Sequence, residues 1–291
     1  TQDDTLFIKP GITAYNLRVS VSTHIGKVRG NHEDNFYLEG LRLNEIFRND
    51  FSATYTISDA DGMSFAVFDG MGGAAYGEIA SAIAVQTMKK YEHRLKNAEG
   101  MRAVDQIVTE FVTEANNSIC EMLREKNCLS GGTTFAMLYF IDGLAKLYYL
   151  GDSRIYMQDE EDLICLTRDH TLANQKLDAG IYTEAQAKKS ADQHRLTLYV
   201  GVDKNGLGLN ADSRPPVALQ PGRKFLLCTD GLVDMCSEQE IQDILSQDYF
   251  NEAAVLVQTA VNYGGIDNVT CIVLEVIPIE EPAELESDPM L

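Results

Sequence analysis

The chain has 291 residues, of which 45% are hydrophobic and 23% charged, and it has no apolar run long enough to cross a bilayer. Its formal net charge of −20 opposes nonspecific binding to nucleic acid or to an anionic membrane, because both carry charge of the same sign. The six cysteines show no CxxC spacing, which argues against a zinc site and against a disulfide framework.

Hydrophobic periodicity predicts secondary structure along the chain. Alternating or apolar runs predict strands at 17–22, 35–38, 65–68, 135–140, 145–150, 154–158, 225–229 and 269–276, with the three runs between 135 and 158 forming one β-meander. Spacing of three and four residues predicts helices at 74–96, 104–122 and 253–262, and Ser237 to Glu240 is a capping box that opens another helix. The polar insert 41–63 is predicted to be a surface connection, with a partner-docking role as the alternative.

These strands come in runs rather than alternating one by one with helices. That order predicts an α+β fold, a four-layer αββα sandwich in which two antiparallel sheets are flanked by helices. We expect a single domain over 15–277, a polar subdomain at 171–200 that projects from it near the functional site, and an acidic tail at 278–291.

Three acidic residues stand beside predicted core strands. Asp69-Gly70 and Asp230-Gly231 each follow an apolar run, and Asp267 comes just before another. Taken singly, Asp-Gly is a common turn signal. The dense glycines that follow Asp69 suit a backbone that passes close to a ligand, and a carboxylate at the mouth of a buried strand is costly without a cation. The pattern predicts a site for a hard divalent metal.

Seven motifs occur in the order seen in metal-dependent serine/threonine phosphatases of the protein phosphatase 2C class, which the chain resembles over about 15–277. They are Arg29-Gly30-Asn31-His32-Glu33-Asp34-Asn35, Val67-Phe68-Asp69-Gly70-Met71-Gly72-Gly73, Ser130-Gly131-Gly132-Thr133-Thr134, Leu150-Gly151-Asp152-Ser153-Arg154, Leu166-Thr167-Arg168-Asp169-His170, Leu227-Cys228-Thr229-Asp230-Gly231-Leu232 and Asp267-Asn268-Val269-Thr270. The Met-Gly-Gly segment after Gly70 resembles the bacterial branch, and 171–200 resembles its mobile flap, which is expected to gate the substrate.

The resemblance implies two Mg²⁺ or Mn²⁺ ions, because carboxylate and carbonyl oxygens without thiolate or imidazole select these metals. It implies that Asp69 bridges both ions, that the Gly70 carbonyl binds one, and that Asp230 and Asp267 complete the other. It further assigns Glu33 to a metal-bound water and Asp152, with Asp230, to a third and weaker metal.

The resemblance assigns Arg29 to the substrate phosphate and Asp34 to orienting Arg29 or a metal-bound water. Arg29 could instead be a surface cation. Thr133 and Thr134 are expected to satisfy backbone groups beside the site rather than to act as nucleophiles.

Some assignments stay open at the level of sequence. Asp152 could be only the turn of a hairpin, and Asp234 an ordinary acid at the start of a helix. Met71 stands where the animal branch has a His proposed as general acid, so a metal-bound water or His32 is left to protonate the leaving group. His170 and His194 are expected to be structural.

The function implied is dephosphorylation of phosphoserine or phosphothreonine in proteins by a water activated by two metals, without a phosphoenzyme. The alternatives are a noncatalytic binding module of the same fold and hydrolysis of a small phosphorylated metabolite. The expected partners are a phosphorylated protein substrate and a serine/threonine kinase, with no nucleic acid and no membrane. The chain does not open with a basic segment followed by an apolar one, the pattern of a signal peptide, so we expect a cytoplasmic protein. We also expect it to be a monomer.

Overall fold

The computed structural model describes residues 11–39, 50–72, 76–128, 130–160, 162–202 and 208–279. Within these ranges the strands are β1 (Tyr15–His24), β2 (Asn35–Leu38), β3 (Phe51–Ser58), β4 (Ser64–Phe68), β5 (Gly70–Met71), β6 (Gly132–Thr133), β7 (Phe135–Ile141), β8 (Leu144–Leu150), β9 (Arg154–Asp159), β10 (Asp162–Cys165), β11 (Asp212–Ser213), β12 (Val217–Ala218), β13 (Lys224–Cys228) and β14 (Val269–Pro278). The α-helices are α1 (Tyr76–Lys96), α2 (Met101–Glu125), α3 (Leu172–Asp178), α4 (Glu184–Ala187), α5 (Asp230–Val233), α6 (Glu238–Leu245) and α7 (Glu252–Asn262), and Ala191–His194 forms a 3₁₀ turn.

Two antiparallel sheets stack face to face. The first sheet has the strand order β10-β9-β13-β14-β1-β3, and the second has the order β11-β8-β7-β4-β2, with β12 also pairing with β8. The core between them is apolar and includes Val19, Phe65, Leu138, Phe225 and Leu274. Interior packing of this kind supplies most of the stability of a sandwich.

Helices cover both outer faces. The long helices α1 and α2 pack on the second sheet around residues such as Phe68, Phe111 and Phe135. On the first sheet, α5, α6 and α7 cover a separate cluster that includes Leu226 and Leu256. The predicted α+β sandwich with four αββα layers is confirmed, and the capping box of Ser237 and Glu240 opens α6 as expected.

The predicted meander is wrong in its last strand. β7 and β8 form the expected hairpin, but β9 pairs with β13 and β10 in the opposite sheet. Ile155 and Met157 face the core between the sheets while Tyr156 faces the helices. This alternation would be the same in either sheet, so periodicity alone could not assign β9 to one of them.

The insert 41–63 is not only a surface connection. Its second half forms β3, which pairs with β1 at the edge of the first sheet and turns Ala53, Tyr55 and Ile57 toward the core. The alternating apolar residues from Phe51 to Ser58 carried this strand signal. Residues 40–49 and the predicted acidic tail from 280 onward lie outside the described residues. No helix in the described part of the chain has the length and apolar character of a membrane span.

Candidate metal centre and active site

Antiparallel pairing brings the predicted site residues to one end of the sandwich. Phe68 at the end of β4 pairs with Asn35 at the start of β2, and the Gly70 N–H donates to the Glu33 carbonyl, so the Asp69-Gly70 segment lies beside Glu33-Asp34. Cys228 near the end of β13 pairs with both Cys271 and Arg154, which places Asp230, Asp267 and Asp152 at the same end. The acids therefore come from both sheets and meet where the sheets end.

The Asp69 backbone is fixed by the two threonines of the third motif. Its N–H donates to Thr134 Oγ1 at 2.8 Å, and its carbonyl accepts from the Thr134 N–H at 2.8 Å and from Thr133 Oγ1 at 3.0 Å. Thr134 Oγ1 also lies 2.6 Å from Ser153 Oγ, beside Asp152. The threonines therefore satisfy backbone groups next to the site, as predicted.

Gly70 is pressed against the first turn of α1. A Cβ on Gly70 would lie 2.2 Å from the Gly77 carbonyl oxygen and 2.6 Å from the Glu33 carbonyl oxygen, and a Cβ on Gly77 would lie 2.8 Å from Glu33 Cδ. The Gly70 N–H donates to the Glu33 carbonyl at 3.2 Å. Only glycine allows three backbone segments to approach this closely, and the contact holds the Glu33 carboxylate in the cleft.

Asp69 and Asp230 both line the centre of the site and are close enough for each to affect the pKa of the other. Burial and the neighbouring Asp230 raise the pKa of Asp69, and burial with Asp234 and Asp267 raises the pKa of Asp230 to about 6. The Asp230 Oδ1 atom is buried without a hydrogen-bond partner among the described residues. Neighbouring acids with raised pKa values, one of them with a buried oxygen that lacks a partner, are stabilised by a proton or a cation, so the residues present fit the oxygen-ligand centre that the sequence predicts.

Asp267 and Arg29 form an ion pair at the mouth of the site, with the guanidinium half exposed. The loop that carries Arg29 is held by Asn268, whose amide donates to the carbonyls of Ile25 at 2.8 Å and Asn31 at 3.0 Å and accepts from the Glu33 N–H at 2.7 Å. Asn268 therefore fixes both Arg29 and Glu33. The sequence motif includes this residue, but its role depends on contacts 235 or more residues apart in the chain.

Asp34 lies in the layer beneath the cleft. Its Oδ2 accepts from Thr229 Oγ1 at 2.8 Å and from Thr270 Oγ1 at 2.7 Å, and its Oδ1 is buried without a partner in the described structure. Burial raises its pKa to about 8. The hydrogen bonds described for Asp34 thus connect it to the strand ends that carry Asp230 and Asp267 rather than to Arg29, and its catalytic assignment stays a prediction.

Asp152 lies where the chain passes from β8 in one sheet to β9 in the other. The hairpin interpretation is therefore wrong, because Tyr149 and Ile155 belong to different sheets. Burial and the nearby Asp230 raise the pKa of Asp152, as expected of an acid that faces the same centre.

The residues around this turn are held by polar contacts. Arg154 and Asp169 pair through a bidentate contact, with Nη2 to Oδ2 at 2.8 Å, and His170 Nδ1 accepts from the Gly151 N–H at 3.0 Å. His170 is structural, as predicted.

The structure also brings in residues whose roles the sequence did not predict. Asp234, considered as an ordinary helix acid, lines the cleft with His194, and their Oδ2 and Nδ1 atoms are 3.8 Å apart. Ligand atoms of His194, Asp230 and Asp234 lie within 4.8 Å of one another. His194, expected to be structural, therefore lines the cleft as well. Asp234 follows Asp230 by four residues, just past the end of α5, and that spacing could have indicated it, but nothing local indicates His194, which is brought in by the 171–200 segment.

His32 does not reach the cleft lining. It is buried, its Nε2 atom is 2.8 Å from Thr23 Oγ1, and burial lowers its pKa to about 4. Met71 does line the cleft, but a thioether cannot donate a proton.

The cleft at this end of the sandwich has a volume of about 750 Å³. Its described lining includes six carboxylates and one permanently cationic side chain, Arg29. The acids are Glu33, Asp69, Asp152, Asp230, Asp234 and Asp267. An opening of this size and charge suits an anionic group that binds together with divalent cations.

Comparisons with known proteins agree with this geometry. The family model described as protein phosphatase 2C matches residues 42–261. The protein phosphatase PhpP of Streptococcus pneumoniae is 28% identical over 270 residues, covering 92% of this chain and 100% of PhpP.

Two solved structures have the same fold. The Streptococcus agalactiae serine/threonine phosphatase aligns with a TM-score of 0.76 at 23% identity, over 90% of this chain and 100% of that one. The catalytic domain of the serine/threonine protein phosphatase PstP, solved with two manganese ions, aligns with a TM-score of 0.68 at 26% identity, over 90% of this chain and 99% of that one. The chain therefore belongs to the protein phosphatase 2C family.

Proposed function

We propose that this phosphatase removes phosphate from phosphoserine and phosphothreonine of intracellular proteins, as a cytoplasmic monomer that opposes a serine/threonine kinase. Its family membership makes it a metal-dependent serine/threonine phosphatase with Mg²⁺ or Mn²⁺ as cofactor. The observation that carries the proposal is that Asp69, Asp230 and Asp267 line one cleft whose mouth holds Arg29.

The residues proposed to hold the two cations are Asp69, the Gly70 carbonyl, Asp230 and Asp267, with Glu33 beside them and Asp152 toward a third ion. When bound, the cations neutralise phosphate oxygens and lower the pKa of water so that a nucleophile forms at neutral pH. All of these residues line the described cleft, which supports an enzyme over a binding module that has lost a ligand.

Arg29 is proposed to bind the phosphate. Its guanidinium lies at the cleft mouth on Asp267 and can donate two parallel hydrogen bonds to phosphate oxygens. Glu33, held by Gly77 and Asn268, can accept a hydrogen bond from water next to the phosphate. Asp34 is proposed to act from below, through Thr229 and Thr270, on the strand ends that carry Asp230 and Asp267.

In the reaction, an oxygen of water forms a bond to phosphorus while the bond to the serine or threonine oxygen breaks, and that oxygen takes a proton. Because His32 is buried behind Thr23 and Met71 cannot donate, we propose that water in the cleft supplies this proton.

The test is phosphate release from a phosphothreonine peptide in EDTA, Mg²⁺ or Mn²⁺, comparing the wild type with Asp69→Asn. We expect metal-dependent release that falls at least about a hundredfold in the variant, because a carboxylate that would hold the cations is lost. Asp248→Asn is the matched control, since Asp248 is 90% exposed and outside the cleft lining. Activity retained in Asp69→Asn or in EDTA would contradict the two-metal assignment. No release from any phosphopeptide with either metal would favour the binding module.

A further inference from the structure

An apolar surface lines the cleft next to the predicted metal-binding acids. Ile266, Met235 and Leu196 line the same opening as Arg29, and we call these three residues the apolar wall. Ile266 is 55% exposed although it is a large β-branched residue directly before Asp267. Single exposed apolar residues are common, so the informative feature is that exposed Ile266 and the partly buried Met235 and Leu196 line one functional opening.

The apolar wall is held in place by the backbone. A Cβ on Gly264 would lie 3.4 Å from Met235 Sδ and 3.7 Å from Ile266 Cγ1, so these two side chains flank the same point. The Lys27 N–H donates to the Gly265 carbonyl at 2.7 Å and fixes the Ile266 loop against the loop that carries Arg29. The loop bearing Ile266 is therefore positioned by contacts made without a substrate.

Leu196 comes from the 171–200 segment, whereas Met235 and Ile266 come from later parts of the chain. It forms an isolated bridge with Thr171, and the next residue, Thr197, donates its N–H to the His170 carbonyl at 2.8 Å. The apolar wall therefore has one residue at the base of that segment and two beside the loops of Asp234 and Asp267, all lining the same cleft. A side chain that contacts all three residues would lie between the segment and the body of the domain.

The charge of the protein indicates what kind of substrate side chain would bind at the apolar wall. Cations bound in the cleft would offset its carboxylates, but the chain as a whole carries a net charge of −20, so acidic residues near the phosphorylated residue would still be repelled. An extended peptide advances about 3.3 Å per residue, so side chains within three residues of the phosphate can reach Ile266 while the phosphate lies at Arg29.

We propose that the apolar wall is a specificity subsite that binds an apolar side chain close in sequence to the phosphorylated serine or threonine of a protein substrate. The inference rests on the proposed function and adds the substrate class: phosphorylation sites with an apolar neighbour rather than an acidic one. Burial of that neighbour removes apolar surface of both partners from water.

The experiment compares phosphothreonine peptides that differ only by Leu or Ser at one position, from three residues before to three after the phosphothreonine. The readout is the ratio of kcat/KM for the Leu and Ser peptides within each enzyme variant, so changes in folding or in metal content cancel. We expect the wild type to prefer Leu by roughly tenfold at one or two positions, and Ile266→Ser to reduce that preference to within about twofold.

Phe250→Ser is the matched control, because Phe250 is also apolar, is 84% exposed and is outside the cleft lining. It should keep the wild-type ratio. If Ile266→Ser does not fold, Leu196→Ser tests the same subsite from the 171–200 segment.

A wild-type ratio near one at every position, or a preference for Leu that survives both substitutions, would overturn the inference. Hydrolysis without preference would leave the proposed function in place and remove only the subsite. Failure to hydrolyse any peptide would instead contradict the proposed function itself.

Discussion

Arg29 pairs with Asp267 in the structure, and the same guanidinium is proposed to bind the phosphate. We expect Arg29→Ala to lower kcat/KM for a phosphopeptide by roughly 10- to 100-fold, because charge-assisted hydrogen bonds to the phosphate are lost. Arg29→Lys should recover only part of this loss, since an ammonium cannot donate in a bidentate manner. The inhibition constant of inorganic phosphate should rise in parallel, and both quantities can be measured in one assay series.

Arg94→Ala is the matched control for Arg29. Arg94 is 47% exposed and pairs with Glu110 on the surface, whereas Arg29 is 50% exposed and pairs with Asp267 in the cleft. Loss of the Arg94 pair should leave phosphate inhibition unchanged. The same inhibition constant in Arg29→Ala as in the wild type would show that Arg29 does not bind phosphate.

At the level of single residues, the sequence was most informative where an acid lies within two residues of the end of a core strand. Asp69, Asp230 and Asp267 fit that description, and strand pairing within each sheet, together with the stacking of the two sheets, brings them to one end of the sandwich. His194 has no such neighbour in sequence, so only the packing of the 171–200 segment brings it into the cleft. The contacts of Asp34 also depend on strands far away in the chain, which is why its partners could not be predicted.

The turn between β8 and β9 places Asp152 at the junction of the two sheets. Gly151 has φ of +104°, and a Cβ there would lie 2.7 Å from Thr134 Cγ2. We expect Gly151→Ala to lower the free energy of unfolding by about 2–4 kcal/mol, from backbone strain and from the clash. It should also weaken activity, because Thr134 holds the Asp69 N–H. Urea denaturation and phosphate release measure the two effects.

Gly222→Ala separates strain from clash. Gly222 has φ of +77°, but a Cβ there would meet nothing within 4 Å. It should cost only about 1–2 kcal/mol and leave activity intact. If the two substitutions destabilise the protein equally, the clash between the new Cβ at position 151 and Thr134 adds nothing to the cost of backbone strain.

At the level of elements, local periodicity predicted most strands and helices, but not their partners. The predicted surface connection at 41–63 does not include β3, because the polar residues of the insert obscure the alternation of Phe51, Ala53, Tyr55 and Ile57 with small polar residues. The passage of β9 to the opposite sheet could not be predicted, because residues on β9 are apolar toward both layers.

The acids of the cleft affect the stability of the whole molecule. Burial raises the pKa of Asp230 to about 6 and that of Asp34 to about 8, so the folded chain binds protons more tightly than the unfolded chain. In the absence of metal, the contribution of these groups to the free energy of unfolding therefore decreases as the pH rises from about 4 to about 8. Divalent cations bound at Asp230 would replace its proton, so stabilisation by Mn²⁺ should grow as the pH rises through the pKa of Asp230.

Melting temperatures at pH 5 and pH 7.5, in EDTA and in excess Mn²⁺, test this expectation. The increase caused by Mn²⁺ should be larger at pH 7.5, and Asp230→Asn should reduce both the increase and its dependence on pH. A larger increase at pH 5 than at pH 7.5 would contradict the assignment of these carboxylates to the metal centre.

The position of β14 has a consequence for synthesis of the protein. This strand lies between β1 and β13 in the first sheet, although it follows every other strand along the described chain. Until the ribosome has made residues 269–278, β1 and β13 lack the neighbour that joins them, and Asp267 has only just been added. A nascent chain can form the β7–β8 hairpin and the α1–α2 pair early, but it has no complete catalytic end until this last strand is inserted, so premature termination anywhere before it should yield inactive, aggregation-prone fragments.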